Sequence, residues 1–500
     1  MNTPSASQNS VTLPAGGVGQ RPGVILVAHG SARSAASAEP VLALADGLRD
    51  RGFPEVRTAF WKEEPFLHQA LELTRCSTVA VLPVFLSEGY FSSTVVPREL
   101  GLRYGDNHIG ERLVHLLPPL GTDAGLAEIV AARAQEGVPP DACASEVLLV
   151  VLGHGTQRDP ASADAVLDVC ARLGREGRFA QVAPAFIDQE PRLENVLKDA
   201  REPVILLVPF LVAAGWHGGT TVPRELDPGS HGIRHGRQRI VYTEPVGTHP
   251  ALVELAEALL LGTALPPEPS RSSSALPPLT RLESVLEERL ARSTTAVLIQ
   301  VMIRVEDRTV HELRHVDDDG VDPEHLTEIA TASALGSFAR RRDDGGARPL
   351  RTAADLPRGW RLRASCVRDL IETLVEVYGS ALVHWHLGET DELSGVSFRE
   401  TTAGQTGIYA TLTQVEAMEV EAGVRSVCDG LPCLRTRLWG VEDTVTMVKR
   451  QQEEAADRLV VPCPRPCPIL LSGVLDLVAD GKSRDVPPLR QEVDDPPSPD

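Results

Sequence analysis

The 500-residue sequence has no run of about eighteen apolar residues, the length that a transmembrane helix requires. It is also poor in positive charge, because 49 lysines and arginines stand against 69 aspartates and glutamates and give a net charge of −20. A nucleic-acid partner requires a basic face, so this balance argues against one. The first 22 residues lack the basic start and apolar centre of a signal peptide. We therefore expect a soluble protein without a membrane or nucleic-acid partner.

Cysteine is also scarce. Eight cysteines in 500 residues are too few for a disulfide scaffold, which favours a reducing, cytoplasmic location. No Cys-x₃-Cys-x₂-Cys triplet occurs, so radical chemistry with S-adenosylmethionine is not indicated. The cysteines are nevertheless unevenly placed, since four of them fall within forty residues near the end of the chain.

The sequence contains one pattern twice, between residues 24 and 262. Residues 24–31 correspond to residues 149–156, and the pentapeptide Val-Pro-Arg-Glu-Leu at 96–100 recurs unchanged at 222–226. A duplication of this length predicts two similar lobes, and the cleft between such lobes is where chemistry is expected.

Each repeat alternates continuous apolar runs with stretches of helical periodicity. The runs are rich in valine, isoleucine and leucine, which suits parallel strands covered on both faces. They occupy residues 24–28, 78–86, 147–152 and 204–212. Alternating strands and helices predict two tandem, doubly wound α/β lobes with parallel sheets, in which ligands bind beyond the carboxyl ends of the strands.

A segment rich in proline and serine separates the repeats from a second half of different character. There, residues 296–305 and 310–316 predict an antiparallel hairpin, and residues 323–341 and 366–378 predict helices, which together indicate an α+β domain. The predicted divisions are a disordered tail (1–22), lobe 1 (23–140), lobe 2 (141–262), a linker (263–280), an α+β accessory domain (281–394), a small Cys₄ domain (395–486) and an acidic tail (487–500).

Three side chains of the second repeat form a candidate site for metal binding and proton transfer. His154 directly follows a predicted strand, Glu190 lies in Gln-Glu-Pro, and His217 ends a Phe-Leu…Gly-x-His segment. Two imidazoles and one carboxylate suit a loosely held divalent metal, and neutral imidazole can accept a proton near neutral pH. The alternative is that a histidine at a strand end only makes structural hydrogen bonds.

The first repeat keeps only part of this set. It has His29 and Glu64 at the matching positions, but Phe91 stands where the second repeat has its last histidine. The complete set therefore occurs once, which assigns the predicted reactive centre to the second lobe. His29 is expected on the opposite wall of the cleft, either as a catalytic group or as a structural one.

The order and the double occurrence of these motifs carry a family resemblance. The His-Gly-Ser/Thr, Glu-Pro, Phe-Leu…Gly-x-His, Val-Pro-Arg-Glu and Pro-x-Gly-Thr segments resemble the class II tetrapyrrole chelatases over residues 22–262, in particular the sirohydrochlorin cobaltochelatases and ferrochelatases. The resemblance implies ATP-independent insertion of Co²⁺, or alternatively Fe²⁺, into sirohydrochlorin in cobalamin or sirohaem biosynthesis. It implies that His154 binds the metal and takes a pyrrole proton, that His217 is its partner, and that Glu190 neutralises charge and relays protons.

The four clustered cysteines form a second candidate site. Cys428 and Cys433 are separated by four residues, and Cys463 and Cys467 by three. Four thiolates can hold Zn²⁺ or an iron–sulfur cluster. Proline directly after each cysteine of the second pair is a ferredoxin-like feature, which favours [4Fe–4S] over zinc or unrelated thiols. The whole arrangement resembles multidomain bacterial chelatase-like proteins with a 4Fe–4S C-terminal domain.

Three functions are compatible with the sequence. The first is a cobalt or iron chelatase, which is a lyase. The second is a protein that binds metal or tetrapyrrole without inserting one into the other. The third is an iron–sulfur redox or sensor protein built on a chelatase scaffold, and a cluster that transfers electrons would require a redox partner. Ligation by histidine and glutamate accepts cobalt, iron and nickel, so the residues leave the metal open.

Overall fold

Four regions of regular secondary structure follow one another along the chain in the computed structural model. The structure describes residues 21–31, 34–155, 161–213, 233–235, 238–263, 265, 278–307, 310–341, 356–385, 396–403, 407–429, 433, 435, 460–461, 463 and 466–480. Almost all of the predicted N-terminal tail, the acidic C-terminal tail and most of the predicted linker lie outside these residues. Within the described ranges, no helix is long and apolar enough to cross a bilayer.

The first repeat forms lobe 1. Its strands are β1 (Gly23–Ala28), β2 (Val56–Phe60), β3 (Thr78–Pro83), β4 (Gly105–Ile109) and β5 (Arg112–Leu116), and its helices are α1 (Glu39–Asp50), α2 (Val96–Leu100) and α3 (Leu126–Gly137). The sheet order is β2-β1-β3-β5-β4, and all strands except β4 are parallel. Every residue of β1, β2 and β3 is buried, as strands covered on both faces require.

The second repeat forms lobe 2 with the same topology. Its strands are β6 (Val147–Gly153), β7 (Gln181–Phe186), β8 (Val204–Pro209), β9 (Ile233–His235) and β10 (Gln238–Tyr242), and its helices are α4 (Ala161–Glu176), α5 (Leu193–Asp199) and α6 (Leu252–Gly262). The order β7-β6-β8-β10-β9 repeats that of lobe 1, with β9 antiparallel. The predicted tandem α/β lobes with parallel sheets are confirmed, whereas the antiparallel edge strand of each sheet was not predicted.

Each lobe contributes its last helix to a contact with the other lobe. Helix α3 contacts α4 and β8 of lobe 2, and α6 contacts α1 of lobe 1. The second contact is close, because Gly47 of α1 lies against the side chain of Val253. An ion pair joins the same two helices, with 2.8 Å between Arg51 Nε and Glu257 Oε2. One hydrophobic core consequently extends through both lobes.

The Pro-x-Gly-Thr motif of each repeat is explained by a close backbone approach. A Cβ atom on Gly121 would lie 2.0 Å from the backbone of Leu86, and one on Gly247 would lie 2.0 Å from the backbone of Val212. Contacts under 3.0 Å cannot be relieved by a side chain when the neighbour is backbone, so only glycine fits. The motif thereby fixes the segment that follows the third strand of each lobe.

The accessory region follows lobe 2 and is an α+β unit. Its elements are α7 (Pro278–Arg292), β11 (Thr295–Leu298), β12 (Val301–Val305), β13 (His311–His315), β14 (Thr327–Glu328), α8 (Ala332–Ala339), β15 (Trp360–Ala364) and α9 (Val367–Tyr378). The sheet order is β11-β12-β13-β15-β14, with only β14 in a parallel pair. Helix α7 begins within the last residues of the predicted linker, where Leu279 is buried in the core of this region.

Two predicted elements of this region are divided in the structure. The prediction of one strand over 296–305 is wrong, because the chain reverses at Ile299, whose φ is 51°, and β11 pairs with β12. The predicted antiparallel hairpin is confirmed between β12 and β13. The prediction of one helix over 323–341 is also wrong. That range contains a 3-10 turn at Pro323–His325, then β14, and only then α8.

The last region is small and packs against lobe 1. It contains β16 (Val396–Ser397), α10 (Phe398–Thr402), α11 (Ala417–Val424), β17 (Val460–Val461) and α12 (Pro468–Asp480), with α11 packed against α12. Phe66 of lobe 1 belongs to its hydrophobic core, and Leu73 of lobe 1 belongs to the core of the accessory region. Phe66 directly precedes the 3-10 helix Leu67–Leu73 and Leu73 ends it, so this short segment contacts both C-terminal regions.

We expect Gly247→Ala to destabilise the protein by about 2 kcal/mol or more, because the new Cβ overlaps the backbone of Val212. Gly174→Ala is the matched control, since a Cβ at this position of α4 meets no atom within 4 Å. Alanine there should be neutral or stabilising by about 0.5–1 kcal/mol. Denaturant unfolding followed by circular dichroism measures both, and equal midpoints would contradict the close-approach explanation.

Candidate functional site

His154 lies at the carboxyl end of β6, where the sequence predicts a ligand-binding position. Its Nδ1 is 2.8 Å from the carbonyl oxygen of Gly155, a residue with φ of +68°. A carbonyl oxygen can only accept a hydrogen bond, so Nδ1 carries the proton and Nε2 keeps its lone pair. The side chain is 42% exposed. This tautomer gives Nε2 the lone pair that binding a metal or accepting a proton requires.

Asp188 is a neighbour of His154 that the sequence analysis missed. Its Oδ2 lies 3.6 Å from His154 Nδ1, and its backbone N–H donates to the carbonyl of His154 at 2.9 Å. A carboxylate on the protonated side of an imidazole orients the ring and raises the basicity of the other nitrogen. The one signal in the sequence is that the first repeat has Lys62, of opposite charge, at this position.

Glu190 lies in the loop after β7, the strand next to β6, and its side chain is 68% exposed. Its Oε2 accepts hydrogen bonds from the backbone N–H of Arg192 at 3.0 Å and from Asn195 Nδ2 at 3.2 Å. These two bonds lower the pKa of the Glu190 carboxyl below its ordinary value. The carboxylate is therefore ionised at neutral pH and open to solvent.

The equivalent carboxylate of lobe 1 has a different environment. The loop itself is conserved in shape, since Phe60 N–H donates to the Pro65 carbonyl at 2.7 Å and Phe186 N–H donates to the Pro191 carbonyl at 2.9 Å. Glu64, however, is only 1% exposed. Its carboxylate is held by residues of the C-terminal half of the chain, so it is not open to a ligand.

Two consecutive glutamates of lobe 1 are bonded to the C-terminal half of the chain. Arg340 Nη2 donates to Glu63 Oε2 at 2.9 Å, and Arg435 Nε donates to Glu64 Oε1 at 2.6 Å. The hydroxyl of Ser380 donates to the other oxygen of Glu64. The lobe-1 loop is thus anchored by one arginine of the accessory region and one of the last region.

In lobe 1, His29 and Phe91 occupy the positions that match His154 and His217 of the second repeat. His29 Nδ1 is 2.9 Å from the carbonyl oxygen of Gly30, the same bond that His154 makes. The ring centroid of Phe91 lies 4.7 Å from that of His29, in an edge-on arrangement. An aromatic ring therefore occupies the space beside the first-repeat histidine.

The described part of the predicted triad lies at one edge of one sheet. His154 and Glu190 follow adjacent parallel strands, whose carboxyl ends share that edge. His217 lies outside the described residues. Within the described ranges, no three His, Cys, Asp or Glu side chains are arranged to hold a single metal ion.

All four clustered cysteines are described, and three of them, Cys428, Cys463 and Cys467, are buried. Burial raises the pKa of the Cys463 thiol, the Arg435 guanidinium lowers it, and the nearby Cys433 and Cys467 raise it. Three of the sulfurs are thus close enough to interact. The backbone N–H of Leu470, in the first turn of α12, donates to Cys467 Sγ at 3.4 Å, which stabilises a thiolate.

The thiol groups of these cysteines suit an iron–sulfur cluster or a zinc ion. Cys428, Cys463 and Cys467 are buried, and the Arg435 guanidinium is close enough to Cys463 to interact with it. None of the eight cysteines, all of which lie in the described ranges, forms a disulfide bond.

Comparisons with known families divide the chain in the same order as the structure. The CbiX family model matches residues 23–137 and again 148–261. The DR2241 stabilising domain matches residues 283–389, and a 4Fe-4S iron-sulfur cluster binding domain matches residues 390–475. The two lobes are therefore chelatase domains, and the last region is an iron–sulfur domain.

Two relatives extend this result. A probable sirohydrochlorin cobaltochelatase of Halobacterium salinarum is 33% identical over 220 residues, which are 40% of this chain and 75% of that protein. The crystal structure of DR2241 from Deinococcus radiodurans, described as a multi-domain protein with structural similarity to chelatases and two additional novel domains, has a TM-score of 0.71 and 29% identity. It covers 92% of this chain and 100% of its own. The chain belongs to the sirohydrochlorin chelatase family.

We expect Phe91→His to add no metal site to lobe 1, although it restores the residue type that the first repeat lacks. Glu64 is bonded to Arg435 and Ser380 and cannot serve as the third ligand. The reciprocal change, His217→Phe, should remove the lobe-2 site. Equilibrium dialysis against Co²⁺ with metal analysis gives the number bound per chain, and one additional cobalt in Phe91→His would refute the assignment.

Proposed function

We propose that the protein inserts a divalent metal, Co²⁺ in preference to Fe²⁺, into sirohydrochlorin without ATP, in cobalamin or sirohaem biosynthesis. Membership of the sirohydrochlorin chelatase family supports the reaction class, and the cobaltochelatase name of the relative from Halobacterium salinarum supports cobalt. The histidine and carboxylate geometry of lobe 2 supports the location of the reaction.

The observation that carries the proposal is the position of Phe91 beside His29. Phe91 is the first-repeat counterpart of His217, and its ring centroid lies 4.7 Å from that of His29. The two lobes have the same strand order and the same backbone bond in the loop after the second strand, so the repeat supports His217 as the partner of His154 in the proposed site. The proposed site would combine these two imidazoles with the exposed carboxylate of Glu190.

The proposed reaction exchanges one dication for two protons. Sirohydrochlorin loses two pyrrole N–H protons as the metal ion forms bonds to the ring nitrogens, so charge is conserved. His154 Nε2, which keeps its lone pair because Nδ1 carries the proton, first holds the incoming metal, and accepts a pyrrole proton with the same lone pair once the ion has passed to the ring nitrogens. His217 is the second ligand and base. Glu190, ionised and exposed, neutralises the metal charge and relays protons to solvent.

Lobe 1 serves this reaction as the facing wall. His29 has the same Nδ1 bond as His154, but Phe91 lies beside it and Glu64 is bonded elsewhere. We therefore assign His29 to contact with the macrocycle, with an apolar ring next to it that suits a flat aromatic ligand. Only lobe 2 would hold the metal.

We propose that the last region holds a [4Fe–4S] cluster through Cys428, Cys433, Cys463 and Cys467. The cluster would supply a one-electron redox centre when bound. The protein contributes a buried site, the helix N-terminus that donates to Cys467, and the guanidinium of Arg435.

Replacing either imidazole tests the proposed reaction. His154→Ala and His217→Ala should each lower the rate of Co²⁺ insertion by about 100-fold or more, because each removes a metal ligand and a base. His325→Ala removes an exposed histidine of the accessory region and is the control. Insertion is followed by the absorption change of sirohydrochlorin without oxygen, with Fe²⁺ and Ni²⁺ in parallel. Unchanged turnover in both variants would end the assignment.

A cysteine replacement tests the cluster. Cys463→Ser should yield anaerobically purified protein that has lost iron, sulfide and the broad visible band of the parent protein, since it removes a buried ligand. Cys366→Ser changes an exposed cysteine in the accessory region and should keep all three. A colourless parent protein that contains one zinc per chain would overturn the cluster proposal.

A further inference from the structure

Arg435 contacts lobe 1 and lies beside the cysteine site. It is 2% exposed, and its Nε donates to Glu64 Oε1 at 2.6 Å while Nη2 donates to Ser380 Oγ at 3.1 Å. Nη2 also donates to Gln69. The guanidinium also interacts electrostatically with the sulfurs of Cys463 and Cys467.

The duplication shows what this contact replaces. In lobe 2, Arg192 of the same loop lies beside the carboxylate, with 3.8 Å between its Nε and Glu190 Oε1. Lobe 1 has Phe66 at that position. The guanidinium of Arg435 lies over the Phe66 ring, with 4.8 Å between Arg435 Cζ and the ring centroid. The last region therefore supplies the cation that lobe 2 takes from its own loop. Glu64, the lobe-1 counterpart of Glu190, is therefore the counter-ion of Arg435 at the cysteine site.

We propose that Glu64 and Arg435 form a charge pair that sets the reduction potential of the [4Fe–4S] cluster, with Glu64 as the positioning residue for the guanidinium at Cys463. This rests on the proposed binding of the cluster by the four cysteines. Neither residue takes part in metal insertion. The pair makes the electrostatics of the cluster depend on a loop of the first chelatase lobe.

The sign of the effect follows from the charges. Reduction adds one electron, so a cation beside a ligand sulfur and a hydrogen bond to that sulfur stabilise the reduced cluster and raise its potential. Glu64 offsets part of that positive charge, and at a buried site little water screens the interaction. Removing the Glu64 charge should raise the potential, whereas placing a second carboxylate against Arg435 should lower it.

Three variants of the full-length protein test this. Glu64→Gln removes the charge and keeps the shape, and Glu190→Gln is the matched control in the other copy of the loop. Gln69→Glu adds a charge against Arg435 Nη2 and provides a test of opposite sign if Glu64→Gln does not fold. The reduction potential of the cluster is measured by anaerobic redox titration with mediators, and the reduced cluster is detected by electron paramagnetic resonance. All are measured at one pH above the pKa of about 6 that burial gives Glu72, so that its charge is constant.

We expect Glu64→Gln to raise the reduction potential of the cluster, Gln69→Glu to lower it, and Glu190→Gln to leave it at the value of the parent protein. Potentials equal to that of the parent in both lobe-1 variants, with the cluster present, would overturn the charge-pair proposal. An equal shift in Glu190→Gln would overturn it too, because that residue lies in the other lobe. A parent protein without iron and sulfide would instead refute cluster binding, which separates the two failures.

Discussion

A buried carboxylate is stable as an anion only with a cation and further hydrogen bonds around it, and Glu64 meets this condition through residues of two other regions. Arg435 provides the cation, and Ser380 bonds the second oxygen. Removing two charges from water costs several kcal/mol per ion, so such a pair is retained only where its geometry is well satisfied. This cluster of contacts joins lobe 1 to both the accessory region and the last region.

The same constraint explains why the two copies of one domain have different surroundings at the matching carboxylate. Both copies keep the loop after the second strand, with matching backbone bonds at Phe60 and Phe186. In lobe 2 the loop carboxylate is exposed and ionised, which leaves it open to a ligand. In lobe 1 the carboxylate is enclosed by the C-terminal half of the chain. A duplicated site can therefore become an anchoring site without any change in its own fold.

Sequence patterns predicted the features that depend on local order. Continuous valine-rich runs predicted the buried parallel strands, and the substitution at Phe91 predicted that only one lobe holds the full set. The antiparallel edge strands were missed, because a short polar strand such as β4 has no apolar alternation. The contact between Glu64 and Arg435 was also missed, since the two residues are 371 positions apart in the sequence. Asp188 was missed because it belongs to no recognised motif, and its proximity to His154 is apparent only in the folded structure.

The C-terminal half can be understood as support for lobe 1. Arg340 and Arg435 bind consecutive glutamates of one loop, and Phe66 and Leu73 anchor the adjoining 3-10 helix in two further cores. Glu63 also accepts a bond from the backbone N–H of Ser31, two residues beyond His29. A flat, rigid macrocycle is held most precisely when one side of its cleft cannot move. Fixing the loop of lobe 1 while leaving that of lobe 2 exposed therefore suits the proposed division between a rigid wall in lobe 1 and a reactive side in lobe 2.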